Sequence, residues 1–264
     1  MNLSFRKKLF LILFLAGLVG ILSFLLVDLG ALIALVPMAP GSERPIIPPA
    51  LKVLSLIQPT VLLAVAVLTG IVLAPKVGLT APVAESLAAG RKAGPAIGPQ
   101  LLPGVVGALA GGLAILLTGA VIKPFLTAET IELLGKITRL VPMTTRLLYG
   151  GITEELLMRW GLMTFLAWVV WRLFQGRFDR PTKVCFVAAI LLSALIFGLG
   201  HLPVAVILLG QATVAIVLFV IVANSAFGIV TGYLYWKYGL ESAIIAHMIG
   251  HVVLAVASYA GAYF

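Results

Sequence analysis

Long apolar segments without charge dominate this sequence, and short polar connections separate them. The clearest uncharged runs cover residues 9–27, 53–75, 101–122, 184–236 and 242–264. A helix needs about 20 apolar residues to cross a hydrocarbon core of about 30 Å, and each run is near or above that length. Helices also satisfy their own backbone hydrogen bonds in lipid. The pattern therefore predicts an all-α fold, a polytopic membrane helix bundle.

One part of the longest run is too long for a single crossing. Residues 204–236 would form a helix of about 50 Å, so we expect a break near Ala223, Asn224 and Ser225. With this break the sequence predicts about eight transmembrane helices, over residues 9–36, 53–74, 101–122, 142–172, 184–201, 204–221, 223–236 and 241–262. We expect a single integral membrane domain over 1–264, in which residues 1–122 supply the N-terminal helices.

Smaller patterns add detail to this bundle. The connections predict short surface helices around residues 84–92 and over 127–140. Two glycine pairs with a spacing of four, Gly107 with Gly111 and Gly228 with Gly232, predict positions where helices pack closely.

Composition agrees with a membrane protein and narrows the partners. Apolar residues make up 62% of the 264 residues and charged residues only 10%, whereas about a quarter of an ordinary soluble domain is charged. The net charge is +9, but the basic residues are scattered through the connections rather than clustered on one face. We therefore predict membrane lipids, and no nucleic acid, as partners. The single cysteine, Cys185, excludes an intramolecular disulfide.

A few ionisable residues interrupt the late apolar segments. Such groups are costly inside a membrane and are functional candidates by default. They comprise two adjacent carboxylates and an arginine in one helix and the chain's three histidines in later helices: Glu154, Glu155, Arg159, His201, His247 and His251.

Helical spacing suggests different roles for the two carboxylates. Glu155 and Arg159 are four residues apart, so they share a helix face and predict an intrahelical salt bridge. The Glu154 side chain points about 100° away from that of Glu155 around the helix axis. It is therefore free to contact another helix, a water or a metal. His247 and His251 are also four apart and project together. We expect Glu154 and the three histidines to lie at the same depth in the membrane only if residues 204–236 cross it twice.

Three ordered motifs resemble those of the CPBP intramembrane proteases, which include the type II CAAX prenyl endopeptidases and the Abi bacteriocin-processing or immunity proteins. The first is Glu154-Glu155-Leu156-Leu157-Met158-Arg159, the second is Phe197-Gly198-Leu199-Gly200-His201, and the third begins at His247. The resemblance implies a catalytic core over 140–255. It also implies an integral membrane location, which we expect to be the plasma membrane of a prokaryote, and a peptide or lipidated protein substrate.

The resemblance implies a catalytic role for each residue that matches a family motif. The resemblance implies that Glu154 and His201 activate water and that His247 stabilises the oxyanion. His251 stands where the family usually has Asn, so its role as a second oxyanion donor is implied less directly. We expect Glu155 and Arg159 to brace the site.

The same residues are also compatible with three alternative functions or mechanisms. Glu154, His201, His247 and His251 could supply three ligands of a catalytic zinc, although the sequence lacks the His-Glu-x-x-His helix of common zinc proteases. Buried carboxylates and histidines also line ion or proton pathways in transporters. A non-catalytic immunity or scaffold protein of the same fold is a third alternative. The order of the motifs favours an intramembrane endopeptidase.

Overall fold

The computed structural model describes residues 3–37, 48–176 and 178–263, and these residues form helices and connections with no β-strand. Residues 38–47, in the connection after the first predicted helix, lie outside the described residues. The helices in chain order are α1 (Leu3–Leu22), α2 (Leu29–Leu35), α3 (Pro49–Leu54), α4 (Ile57–Val77), α5 (Pro82–Ala88), α6 (Gly94–Ile122), α7 (Ala128–Leu140), α8 (Met143–Phe174), α9 (Lys183–Leu209), α10 (Val214–Lys237) and α11 (Leu240–Tyr259).

Seven helical stretches of the described chain are long and apolar enough to cross a membrane. They are Leu3–Leu26, Ala50–Val77, Gly94–Phe125, Met143–Phe174, Lys183–Leu209, Val214–Lys237 and Leu240–Tyr259. Many large apolar side chains on these stretches point outward, which suits a surface solvated by lipid tails. The predicted fold class is confirmed: the chain is an integral membrane protein built as a polytopic helical bundle.

The predicted break at residues 223–225 is wrong, which explains why seven spans are found rather than eight. Helix α9 continues beyond residue 201 to Leu209, and the chain turns at Gly210, whose φ of 66° is left-handed. Helix α10 is then continuous from Val214 to Lys237. Asn224 and Ser225 are accommodated because they donate hydrogen bonds to the carbonyls of Val220 (2.7 Å) and Ala194 (3.1 Å).

The first predicted helix, 9–36, is also interrupted. Helix α1 tightens into a 3-10 turn over Ser23–Leu26, and Val27 is extended. Asp28 then caps α2, because its carboxylate accepts a hydrogen bond from the Ala31 N–H at 2.9 Å. The Lys52 ammonium satisfies the carbonyls of Leu25 and Val27 at this interruption, each at 2.7 Å.

Both predicted short helices are present. Helix α5 ends at Ala88, four residues earlier than expected, shortly before Gly90 with its left-handed φ of 72°. Helix α7 begins after Thr127, whose hydroxyl accepts a hydrogen bond from the Thr130 N–H. On the exposed face of α7, a hydrogen bond from Lys136 to Glu132 (2.6 Å) lowers the pKa of the Glu132 carboxyl.

The glycine pairs lie at close helix contacts, as predicted. Gly228 and Gly232 of α10 approach Ala194 and Ile190 of α9, whereas Gly107 and Gly111 of α6 approach Leu234 and Phe227 of α10. Without a hydrophobic driving force between helices in lipid, such close packing supplies much of the association energy.

A matched pair of glycines in α9 tests this packing. A Cβ on Gly198 would lie 2.6 Å from the Ile221 carbonyl oxygen of α10, whereas a Cβ on Gly200 would meet nothing within 4 Å. We expect Gly198→Ala to lower the thermal unfolding midpoint in detergent. Gly200→Ala should keep or raise it, because alanine is the better helix former. Equal midpoints for the two variants would contradict this packing.

Candidate active site

Helix α8 widens where it carries the two carboxylates. Residues Arg146–Glu154 and Leu156–Met163 are π-helical, and α-helix resumes at Thr164. Turns of this kind are uncommon and often occur at functional sites. Gly150 and Gly151 lie in the first of these segments. Side chains there would collide with His251 and Met248, so the lack of side chains lets α11 pack against the α8 backbone.

Two faces of α8 contact different helices. The hydroxyls of Thr145 and Thr153 donate hydrogen bonds to the carbonyls of Ser23 (2.9 Å) and Gly17 (2.7 Å), which fixes one face against the first span. Glu154, one residue beyond Thr153, therefore points toward the histidines of α9 and α11.

Two imidazoles flank the carboxylate of Glu154. Its oxygens lie 4.0 Å from His201 Nε2 and 3.8 Å from His247 Nε2. His201 Nδ1 lies 2.9 Å from the Phe197 carbonyl oxygen, which can only accept, so Nδ1 carries a proton and donates it. In the neutral ring Nε2 is then an acceptor facing Glu154. Both separations exceed a direct hydrogen bond and suit groups that share a water molecule.

The second carboxylate binds two partners deeper in the bundle. Glu155 accepts a hydrogen bond from His247 Nδ1 at 2.8 Å and lies 3.1 Å from Arg159 Nε, so the predicted pair with Arg159 is present. Both Glu155 and Arg159 have no exposed surface, and Arg159 Nε also donates to the Thr231 hydroxyl at 2.9 Å. Glu155 thus orients the imidazole that faces Glu154, and the spacing of residues in the sequence does not predict this contact.

His251 is adjacent to this cluster but forms no ion pair with Glu154 among the described residues. Its ring stacks on His247 with centroids 5.0 Å apart, one helical turn further along α11. Its buried Nε2 points at the backbone of Gly150 and has no hydrogen-bond partner in the described part of the chain.

Glu154, His201 and His247 lie at similar depths although residues 204–236 do not cross the membrane twice. Measured from the helix ends on one side of the bundle, Glu154 is 11 residues from Met143, His201 is 8 from Leu209 and His247 is 12 from Tyr259. The α-helical rise of 1.5 Å per residue gives depths of about 12 Å for His201 and about 18 Å for His247, and about 16 Å is the upper limit for Glu154 because the π-helical turns before it rise less per residue. The expectation that residues 204–236 must cross twice is therefore wrong, because α9 extends two turns past His201.

Aromatic residues enclose the cluster. Phe197 packs edge-on against His201 and His247, at centroid distances of 4.6 and 6.1 Å, and Phe227 lies 4.9 Å from His247. Phe227 and Thr231 were not predicted. Both lie on α10 in a long apolar helix, and only their spacing of four could have suggested a shared face.

The described residues give the zinc alternative no support. In the described ranges, no three His, Cys, Asp or Glu side chains are close enough together to hold a metal ion. His201 and His247 each use Nδ1 for a bond within the protein, so Nε2 is the ring nitrogen that faces Glu154, and His251 lies apart from Glu154.

Comparison with known proteins gives one result for this region. Residues 136–253, slightly less than half of the chain, match the family model described as Type II CAAX prenyl endopeptidase Rce1-like. The chain has no match among curated proteins or among solved structures. The matched segment runs from α7 to α11 and contains every residue of the cluster, so the predicted resemblance is confirmed: this part of the chain is similar to the Rce1-like type II CAAX prenyl endopeptidases.

Proposed function

We propose that the chain is an intramembrane endopeptidase that hydrolyses a peptide bond with water activated by Glu154 and His201. The observation that carries this proposal is the position of the Glu154 carboxylate between two imidazole Nε2 atoms, 3.8 and 4.0 Å away, inside an apolar bundle. The family match supports a CAAX-type protease.

In this mechanism the nucleophilic water lies between Glu154 and His201. The protonated Nδ1 of His201 leaves Nε2 as an acceptor, so the water can donate one hydrogen to the imidazole and the other to the carboxylate. Glu154 takes a proton as the water oxygen attacks the peptide carbonyl, and later gives it to the leaving amine. Surrounding apolar side chains strengthen these electrostatic interactions by excluding bulk water.

The oxyanion formed by this attack needs donors on its other side. His247 can donate from Nε2 when both ring nitrogens are protonated, and the Glu155 carboxylate at 2.8 Å stabilises that positive ring. His251 stacks on His247 and has a buried Nε2 that could donate a second hydrogen bond. Arg159 balances the charge of Glu155, so Glu155 and Arg159 act as positioning residues.

The substrate follows from the membrane location and the family. We infer a membrane-associated peptide or protein, with a prenylated CAAX peptide as the first candidate, because the matching family is described as a CAAX prenyl endopeptidase. In a prokaryotic plasma membrane, which we propose as the location, a lipidated or leader-bearing protein would present the same kind of bond.

Replacing Glu154, the proposed general base, tests whether the chain is a protease. We expect Glu154→Gln to reduce cleavage of a farnesylated CAAX peptide by at least about 100-fold, because general base catalysis contributes 10²–10⁴-fold. Glu129→Gln, on the exposed face of α7, is the matched control and should cleave normally. Parent-rate cleavage by a folded Glu154→Gln protein would exclude the mechanism. If instead wild-type protein shows no cleavage but drives proton-coupled uptake in proteoliposomes, the chain is a transporter.

A double variant separates charge balance from positioning. Glu155→Gln alone leaves the buried Arg159 without its carboxylate, so we expect a loss of about 3–5 kcal/mol in the free energy of unfolding. Glu155→Gln combined with Arg159→Met should recover much of that stability. Cleavage should remain low in the double variant, because His247 still lacks its carboxylate partner. Recovery of both stability and the cleavage rate would show that Glu155 does not act through His247.

Chelation tests the metal alternative directly. Because the described side chains form no three-ligand group, we expect cleavage to survive prolonged treatment with EDTA and 1,10-phenanthroline. Loss of cleavage that zinc restores would contradict the proposed mechanism.

A further inference from the structure

The catalytic cluster is covered unequally at the two ends of the bundle. We call the end where α8 begins and α9 ends the proximal end, and the end where α8 ends and α9 begins the distal end. The exposed fraction of the side chains falls with depth from the proximal end, from 38% for His201 to 19% for Glu154 and 6% for His247. Further along α8, the side chains of Glu155 and Arg159 have no exposed surface. The cluster therefore opens toward the proximal end.

Buried and hydrogen-bonded side chains cover the cluster on its distal side. Next to Arg159 along α8, the Trp160 indole donates a hydrogen bond to the Val67 carbonyl at 3.2 Å. The hydroxyls of Thr164 and Tyr235 share a hydrogen bond of 2.8 Å, which links α8 to α10. Trp160, Thr164 and Tyr235 each keep at most 1% of their surface exposed. In the described bundle this layer separates the cluster from the distal end.

Basic residues are also distributed unequally between the two ends. Apart from the buried Arg159, twice as many described lysines and arginines lie near the distal end as near the proximal end. The ten at the distal end are Arg6, Lys7, Lys8, Lys76, Arg91, Lys92, Arg172, Arg180, Lys183 and Lys237. The five at the proximal end are Lys52, Lys123, Lys136, Arg139 and Arg146. Because connections rich in lysine and arginine stay in the cytoplasm, this distribution places the distal end there and the proximal end outside.

We propose that the active site opens at the extracytoplasmic face of the membrane, and that its substrates are membrane-anchored proteins whose cleaved bond lies in an exported segment. This inference rests on the proposed function, because it takes the cluster as a hydrolytic site. Glu154 lies up to about 16 Å below the proximal helix ends. A lipid or helical anchor raises the effective concentration of a segment at such a site, so anchored substrates are favoured over soluble ones. The farnesylated peptide of the assays above meets this requirement when it is added from the outer side.

Cysteine labelling in spheroplasts tests the orientation. The single cysteine, Cys185, is buried and donates a hydrogen bond to Gln175, so Cys185→Ser can keep that bond and gives a background without thiols. Ala128→Cys at the proximal end and Ala89→Cys at the distal end are a matched pair, because both alanines are exposed and neither change alters the charge. We expect a membrane-impermeant maleimide to label Ala128→Cys in intact spheroplasts, and Ala89→Cys only after permeabilisation. In intact spheroplasts, the opposite pattern, label at both positions or label at neither would overturn the inference.

Sided membrane vesicles test access to the active site itself. The probe is a farnesylated CAAX peptide that carries a sulfonated fluorophore, which prevents it from crossing the bilayer. We expect right-side-out vesicles to cleave the added peptide, whereas inside-out vesicles should show no cleavage until detergent opens them. Cleavage by inside-out vesicles alone, or equally by both kinds, would contradict the proposed orientation.

The labelling experiment also separates failure of this inference from failure of the proposed function, because it does not depend on activity. Glu154→Gln protein should show the same labelling pattern as the parent. If labelling is as expected but detergent-solubilised protein cleaves nothing, the protease assignment fails and the orientation stands. If solubilised protein cleaves the peptide but the labelling pattern is reversed, the protease assignment stands and the orientation fails.

Discussion

One imidazole that meets two adjacent carboxylates holds the centre of this bundle together. His247 of α11 donates from Nδ1 to Glu155 at 2.8 Å and directs Nε2 toward Glu154 at 3.8 Å. Buried charges are tolerated only when neighbouring groups compensate them, and here Arg159 balances Glu155 while the histidines face Glu154. The packing of α8 against α11 and the chemistry proposed for Glu154 therefore depend on the same contact.

The local structure of α8 explains how two neighbouring carboxylates can have different surroundings. Glu155 is fully buried and bonded on both sides, whereas Glu154 retains some exposed surface and no direct hydrogen bond among the described residues. Such a difference is what a hydrolytic site needs, because one group must be free to accept and return a proton while the other stays fixed. Gly150 and Gly151 make it possible by allowing α11 to approach the wide turns that carry both residues.

Much of the bundle could be predicted from the sequence because apolar runs of membrane length have few alternatives in lipid. The Glu155 to Arg159 pair and the close glycine contacts were likewise readable from a spacing of four. The predicted break in the long run is misplaced, because Asn224 and Ser225 do not interrupt the helix: their side chains donate hydrogen bonds to helix carbonyls. Gly210 ends α9 through a left-handed conformation that hydropathy does not reveal. The bond from His247 to Glu155 and the approach of Phe227 depend on how separate helices rotate against each other, which periodicity does not specify.

The central claim is that water, rather than a carboxylate of the protein, attacks the peptide carbonyl. A single turnover in H₂¹⁸O, followed by mass spectrometry of product and protein, tests it most directly. The account predicts one ¹⁸O atom in the newly formed carboxyl group of the product and none in the peptide that contains Glu154. An unlabelled product together with ¹⁸O in Glu154 would show that the carboxylate itself had attacked, and would contradict the account.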